Sequence, residues 1–311
     1  MSQATPQQVA PWIARQTEAL LAQRGHAWLL QGPSGLGQYE LALALVSAWL
    51  CEQPTAHGAC GHCASCHAIE VRTHADLAVL MPETQMLELG WPLSEKAQDD
   101  IDSKKRKPSK EIRVEAMRDL VEFAQRTDAR GRGKAVLVFP AERMNAVTAN
   151  ALLKTLEEPP GDVRFVLATE AAHQLLPTIR SRCQTHTLAW PEGAEALQWL
   201  AGQGVDAPVA EALLRSAGGR PSDVLRQSGA GLSPAWWAAL PKAMQQGDAA
   251  HLSDLSPAQA IDALQKLCHD LVLRGSGASP RFFLASQLPA CTASVMTLTD
   301  WFKRLMQSAR T

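Results

Sequence analysis

The 311-residue chain has almost no net charge: 30 Lys and Arg stand against 31 Asp and Glu, leaving −1 at neutral pH. That balance excludes a global basic field advertising nucleic-acid binding, so any DNA contact must come from a local patch or from partner chains. No apolar run reaches the length of a membrane span, which argues against a transmembrane helix. Met1 to Gln8 is polar and lacks the basic-then-apolar order of a secretory signal. These absences predict a cytoplasmic protein with no membrane partner. In a reducing compartment the seven cysteines are expected to serve something other than disulfides. Hydrophobic residues make up 46% of the chain, enough for a sizeable core and two or three domains.

The apolar pattern divides the chain. Ala27 to Leu30 reads as a strand ending in a turn at Gln31-Gly32, and Glu40 to Leu50 as an apolar helix. Leu77 to Leu80 suggests a second strand. Ala135 to Phe139 is a continuously apolar strand, as buried parallel strands are. Asn145 to Glu158 reads as a helix stopped by Pro159-Pro160. Arg164 to Thr169 and Thr185 to Leu188 complete the strands. Strands alternating with helices predict an α/β domain with a parallel sheet covered on both faces, running to about residue 189. Met86 to Ile112 reads as a loose, solvated insert, with Lys104, Lys105, Arg106 and Lys107 as its basic run; a DNA-touching patch is the other reading. Beyond a hinge at Trp190 to Gly193 no strand pattern appears. Residues 190–230 suggest a small helical domain and 231–311 a second one. Ser233-Pro234 and Ser256-Pro257 each combine a cap with proline at the first helical position. Stripes at Ile261, Leu264, Leu267, Leu271, Val272 and at Val295, Leu298, Trp301, Phe302, Leu305 fit either a closed bundle or an oligomerisation collar.

Between the first strand and helix lies Gly32-Pro33-Ser34-Gly35-Leu36-Gly37-Gln38-Tyr39. Its glycine spacing and context fit the Walker A frame, in which backbone N–H groups cradle phosphates at a helix N-terminus. A working loop adds a lysine for the terminal phosphates and a small hydroxyl for magnesium. Here those positions hold Gln38 and Tyr39, neither of which can do that work. The acidic pair expected after Ala135 to Val138 is replaced by Phe139 and Pro140, and Glu142 stands two residues out of place. Two independent losses predict no useful ATP binding. The bland alternative is an ordinary tight turn.

Cys51, Cys60, Cys63 and Cys66 are spaced C-x8-C-x2-C-x2-C. Two-residue gaps let thiolates converge on one tetrahedral ion, so a structural zinc is expected, with the shell closed to catalysis. An iron–sulfur cluster is the rival, lacking its usual Cys-Pro ending. His57, His62 and His67 are possible substitute ligands. Cys268 and Cys291 read as core residues.

Thr178 to Cys183 (TIRSRC) follows the Arg164 to Thr169 strand. Asn150 to Pro160 (NALLKTLEEPP), then Phe165 to Thr169 (FVLAT), then Ser181-Arg182-Cys183, in that order, resembles the bacterial clamp-loader subunits. The cysteine cluster narrows the likeness to the gamma/tau and delta-prime types, and the lost lysine and acids select delta-prime. The likeness is close over the first domain and general beyond it. It implies an AAA+ RecA-like domain over 1–189 with a zinc module at about 51–66, a helical lid at 190–230 and a helical collar at 231–311. It implies a pentameric ring with delta and gamma/tau subunits that loads a sliding clamp on primed DNA. Ser181, Arg182 and Cys183 match the family's SRC motif, whose arginine enters the neighbouring subunit's ATP site; Arg180 is a weaker candidate. A sensor arginine of active relatives is absent: its position is Ser222, and Arg220 is displaced by two residues. Thr169 stands at another sensor position.

Three alternatives stay beside that reading. Arg182 alone could be a surface arginine in a salt bridge. The chain could be an independent P-loop ATPase with a divergent loop, or a zinc-ribbon DNA-binding module. Arg130, Arg132 and Lys134 form a local basic cluster, most simply solvated.

Overall fold

The protein is described by a computed structural model covering residues 9–229, 232–290 and 293–308. Cys291 lies outside the described residues. The chain divides into two compact units, residues 1–190 and 191–311.

The first unit is built on five parallel strands: β1 Ala27–Gln31, β2 Leu77–Leu80, β3 Lys134–Val138, β4 Val163–Thr169 and β5 Gln184–Thr187. Their order is β2-β3-β4-β1-β5. Register pairs Gln31 with Thr169 and Val138 with Leu167, bringing the C-terminal ends of β1, β3 and β4 to one edge. Every residue of β3 is buried, as a strand covered on both faces must be. β5 (QTHT) is largely exposed at the sheet's margin, so its polar composition carried only a weak strand signal.

The covering helices are α1 Pro11–Leu21, α2 Gln38–Leu50, α3 Ala64–Glu70, α4 Glu83–Glu88, α5 Glu95–Asp102, α6 Val114–Gln125, α7 Ala146–Glu157 and α8 Pro177–Arg180. Asn145 caps α7 by accepting from the Thr148 N–H, and Pro159-Pro160 follows its end. Leu152 and Leu156 of α7 enter a core with Val136, Val138, Phe165 and Leu167.

The insert expected to be loose is instead folded. The end of α4 and all of α5 lie within it, and Trp91 between them is buried. Arg106, from the presumed solvated basic run, donates to both carboxylate oxygens of Glu83, at 2.5 and 2.8 Å. Asp100 and Arg113 add ion pairs at 3.6 and 3.5 Å. Burial alone would raise the Glu83 pKa, but Arg106, the Ser109 N–H and Arg113 outweigh it and bring it below the ordinary carboxylate value.

The second unit holds α9 Gly193–Gly202, α10 Ala207–Ser216, α11 Pro221–Gly229, α12 Pro234–Gln245, α13 Pro257–Gly275 and α14 Val295–Ser308. Ser233 and Ser256 cap α12 and α13, the latter in a reciprocal capping box with Gln259. One core gathers Leu200, Leu213 and Val224. A separate one gathers Trp237, Leu267, Cys268, Leu271, Phe283, Leu298 and Leu305. No helix of the described residues is long and apolar enough to cross a membrane.

Candidate functional site

At the C-terminal edge of the sheet, Gly37 starts α2 with φ of +98°, a backbone that disfavours side chains. A Cβ there would also meet Ile13 Cδ1 at 2.8 Å, because α1 packs tightly on the loop. The Trp12 indole donates to the Leu36 carbonyl at 3.0 Å, and Leu36 is fully buried. Gln38, at the lysine position, is turned back into the loop. Its Nε2 donates to the carbonyls of Gly32 and Pro33 at 2.7 and 2.6 Å, and only 2% of the residue is exposed. Tyr39, at the magnesium-hydroxyl position, is buried; its ring lies 5.5 Å from that of Phe139 and its hydroxyl accepts from the Trp91 indole at 2.8 Å. Burial pushes the Tyr39 pKa up, so the phenol stays neutral.

The remaining acid nearby is engaged as well. Glu142 accepts from the Thr169 hydroxyl at 2.7 Å and from the Glu170 N–H at 3.2 Å. In the second unit Arg220 is held by Asp223 at 3.0 Å and by the Ala217 carbonyl at 2.8 Å. The polar groups of the glycine loop and of Glu142 are thus bonded within the first unit.

The four cysteines meet at the end of α2 and the start of α3. Their sulfurs lie within 4.8 Å of one another and could hold a metal ion. Four of the sulfur separations are 3.8 Å for Cys51–Cys63, 3.9 Å for Cys60–Cys66, 3.5 Å for Cys63–Cys66 and 3.7 Å for Cys66–Cys51, and the Cys60 N–H donates to Cys51 Sγ at 3.3 Å. A tetrahedron with metal–sulfur bonds of about 2.3 Å has edges of about 3.8 Å, so the donor set fits. Burial would push the Cys63 thiol up, but the N–H groups of Cys66 and Glu52 and the nearby thiols outweigh it and bring it down to about 6. Burial and neighbouring sulfurs push Cys66 up to about 12. A full set of thiolates needs a cation at its centre. The histidines stand outside: His57 pairs with Glu18 at 2.7 Å, His62 meets the Cys60 carbonyl at 2.9 Å, and His67 lies 3.8 Å from Glu70.

Ser181, Arg182 and Cys183 sit between α8 and β5, at the N-terminal edge of the sheet. Together with His26, Ala27 and Gln184 they line a small cleft of about 210 Å³. Arg182 Nε donates to Glu157 Oε1 at 2.6 Å, Nη2 reaches the same oxygen, and Nη1 donates to the Thr178 carbonyl at 2.9 Å. In the free chain Arg182 is thus an ion-paired arginine, with 30% of its side chain exposed. Ser181 is exposed, its hydroxyl donating to the Thr178 carbonyl at 3.2 Å. Cys183 packs against the core, and burial pushes its thiol up to about 11, which makes it a packing residue rather than a nucleophile. Arg180 is exposed. The glycine loop lies beyond the far end of β1. Five residues separate the two edges, about 16 Å of extended strand.

Sequence reasoning overlooked three site residues: Trp91, Glu157 and Trp12. Each acts through a contact distant in sequence, with no periodicity to announce it. Of the basic cluster at the start of β3, Arg130 pairs with Glu52 at 2.7 Å and Lys134 is buried over the Phe123 ring rather than solvated. Arg132 lines a larger cleft of about 730 Å³ with Trp28, Trp49 and Arg164.

A family model described as DNA polymerase III, delta subunit, matches residues 13–192. The DNA polymerase III subunit delta' of Pseudomonas aeruginosa is 40% identical over 213 residues, covering 68% of this chain and 58% of that protein. The subunit delta' of Escherichia coli K12 is 37% identical over 195 residues, 61% of this chain and 52% of that one. The DNA polymerase III subunit tau of Salmonella typhimurium is 35% identical over 158 residues, 51% of this chain and 21% of that one. The chain spans a little over half the length of the delta' relatives it matches.

Proposed function

The chain belongs to the delta-prime family of DNA polymerase III clamp-loader subunits, and from that membership we propose that it is a subunit that hydrolyses no ATP itself and supplies Arg182 to a neighbour that does. The observation that carries this is the pairing of a closed loop with an arginine on the opposite edge of the sheet. Gln38, Tyr39 and Phe139 fill the chain's own phosphate and metal positions. Arg182 stands a strand length away and cannot serve that loop. It can serve a site on another chain docked against the N-terminal sheet edge.

In this role the guanidinium neutralises charge on the phosphoryl group in flight and makes hydrolysis depend on subunit contact. Ser181 and Cys183 fix the short turn that presents it, Cys183 by packing inward. The neighbours are gamma/tau and delta subunits, and the assembly loads a sliding clamp onto primed DNA during replication in the cytoplasm. Residues 190–230 serve as a lid and 231–311 as a collar that holds the ring. The four cysteines hold zinc, which ties α2 to α3 and supplies folding stability.

Titration of the isolated chain with magnesium–ATP tests the first half: no binding in the micromolar range is expected, and micromolar affinity with magnesium-dependent turnover would overturn it. The second half is tested by Arg182→Ala in the reconstituted complex. Single-turnover hydrolysis at the neighbouring site should fall by about 100-fold or more, while folding of this chain loses no more than about 1 kcal/mol. Unchanged hydrolysis and clamp loading would sink the trans-arginine role.

A further inference from the structure

We propose that Glu157 is a positioning residue that parks Arg182 in the free chain and must be exchanged for a neighbour's phosphate when the ring assembles; the inference rests on the trans-arginine reading above. All three guanidinium nitrogens of Arg182 are engaged within its own chain: Nε and Nη2 on a single oxygen of Glu157, Nη1 on the Thr178 carbonyl. An arginine so satisfied has to leave these partners before it can reach outward. Glu157 is the last residue of α7, where the helix dipole is negative and a carboxylate is disfavoured. Its placement there serves no helix-end stabilisation; the nearby Arg182 cation offsets that penalty. The pair is half-exposed, 30% and 47%, so water screens it and it can open readily. A triphosphate with its several charges outcompetes one carboxylate for the same fork of N–H donors. Glu157 therefore holds the arginine in a defined rotamer and keeps its charge masked until a nucleotide-loaded neighbour offers more.

The test is a double-mutant cycle of Glu157→Gln and Arg182→Ala in the reconstituted complex. Glu157→Gln should lower the ATP concentration for half-maximal hydrolysis about two- to fivefold, with the maximal rate within about twofold, and the effect should shrink as salt rises. In the Arg182→Ala background it should vanish; a shift that persists there marks a merely structural residue and overturns the proposal. No shift from Glu157→Gln while Arg182→Ala abolishes hydrolysis overturns the parking role alone. No effect of Arg182→Ala overturns the trans-arginine reading and the parking role with it. In the isolated chain, the Arg182 Nε–H resonance should be protected from exchange and lose that protection in Glu157→Gln. An unprotected resonance in the unsubstituted chain removes the ion pair on which the inference stands.

Discussion

Gln38 illustrates how a side chain at the start of a helix can hold the loop before it. Lysine at this position would reach outward to phosphate, whereas the glutamine amide bonds the carbonyls of Gly32 and Pro33. Gln38→Ala leaves those carbonyls without that donor in a partly exposed turn, and a loss of about 1 kcal/mol is expected in denaturant melts. Gln38→Lys restores the missing cation but not the space. Tyr39 and Phe139 still occupy the metal side, so magnesium–ATP titration of this variant should show no micromolar binding. Arg182 carries the converse lesson. Its motif was visible in sequence, yet nothing in sequence indicated Glu157 as its partner, 25 residues earlier.

Two elements carry testable energetics. The insert is pinned at both ends, by Trp91 on the Tyr39 hydroxyl and by Glu83 among Arg106 and Arg113. Trp91→Phe keeps a ring but removes the N–H, leaving the buried phenol without that donor; about 1 kcal/mol should be lost on thermal melting. Glu83 has a depressed folded pKa. Its stabilisation is therefore complete above the unfolded carboxylate value, about 4.3, and disappears as pH falls through the lower folded value. Glu83→Gln should weaken the protein at neutral pH and flatten this acid limb of a stability–pH curve. The cysteine element makes a third prediction. Chelation, or Cys60→Ser, should lower the melting temperature of the first unit together with its bound metal, because four converging thiolates repel one another without a cation. Unchanged melting and metal content would count against a structural site. The insert escaped the sequence reading because its anchors are ion pairs and one indole, not an apolar stripe. The cysteine spacing, by contrast, was legible at once.

At the scale of the molecule, the chain passes from one unit to the other through a largely exposed stretch around Trp190 to Glu192. Limited proteolysis should cut there first, yielding two fragments that resist further digestion longer than the intact chain does. Early cleavage inside the insert at 86–112 would contradict its anchoring.

The amino-acid sequence by itself determined the parallel strands, the helix caps at Ser233 and Ser256, the cysteine constellation, and the absence of a lysine from the glycine loop and of an acidic pair after Val138. Those features are local: each depends on residue types at short, regular spacing. Only the tertiary structure decided that Tyr39, Trp91 and Phe139 pack together beside the glycine loop, that Arg106 of the basic run folds back onto Glu83 while its three lysines stay exposed, and that Arg182 lies paired on the opposite edge of the sheet. Strand order and long-range contact set these positions, and neither leaves a periodic trace along the chain.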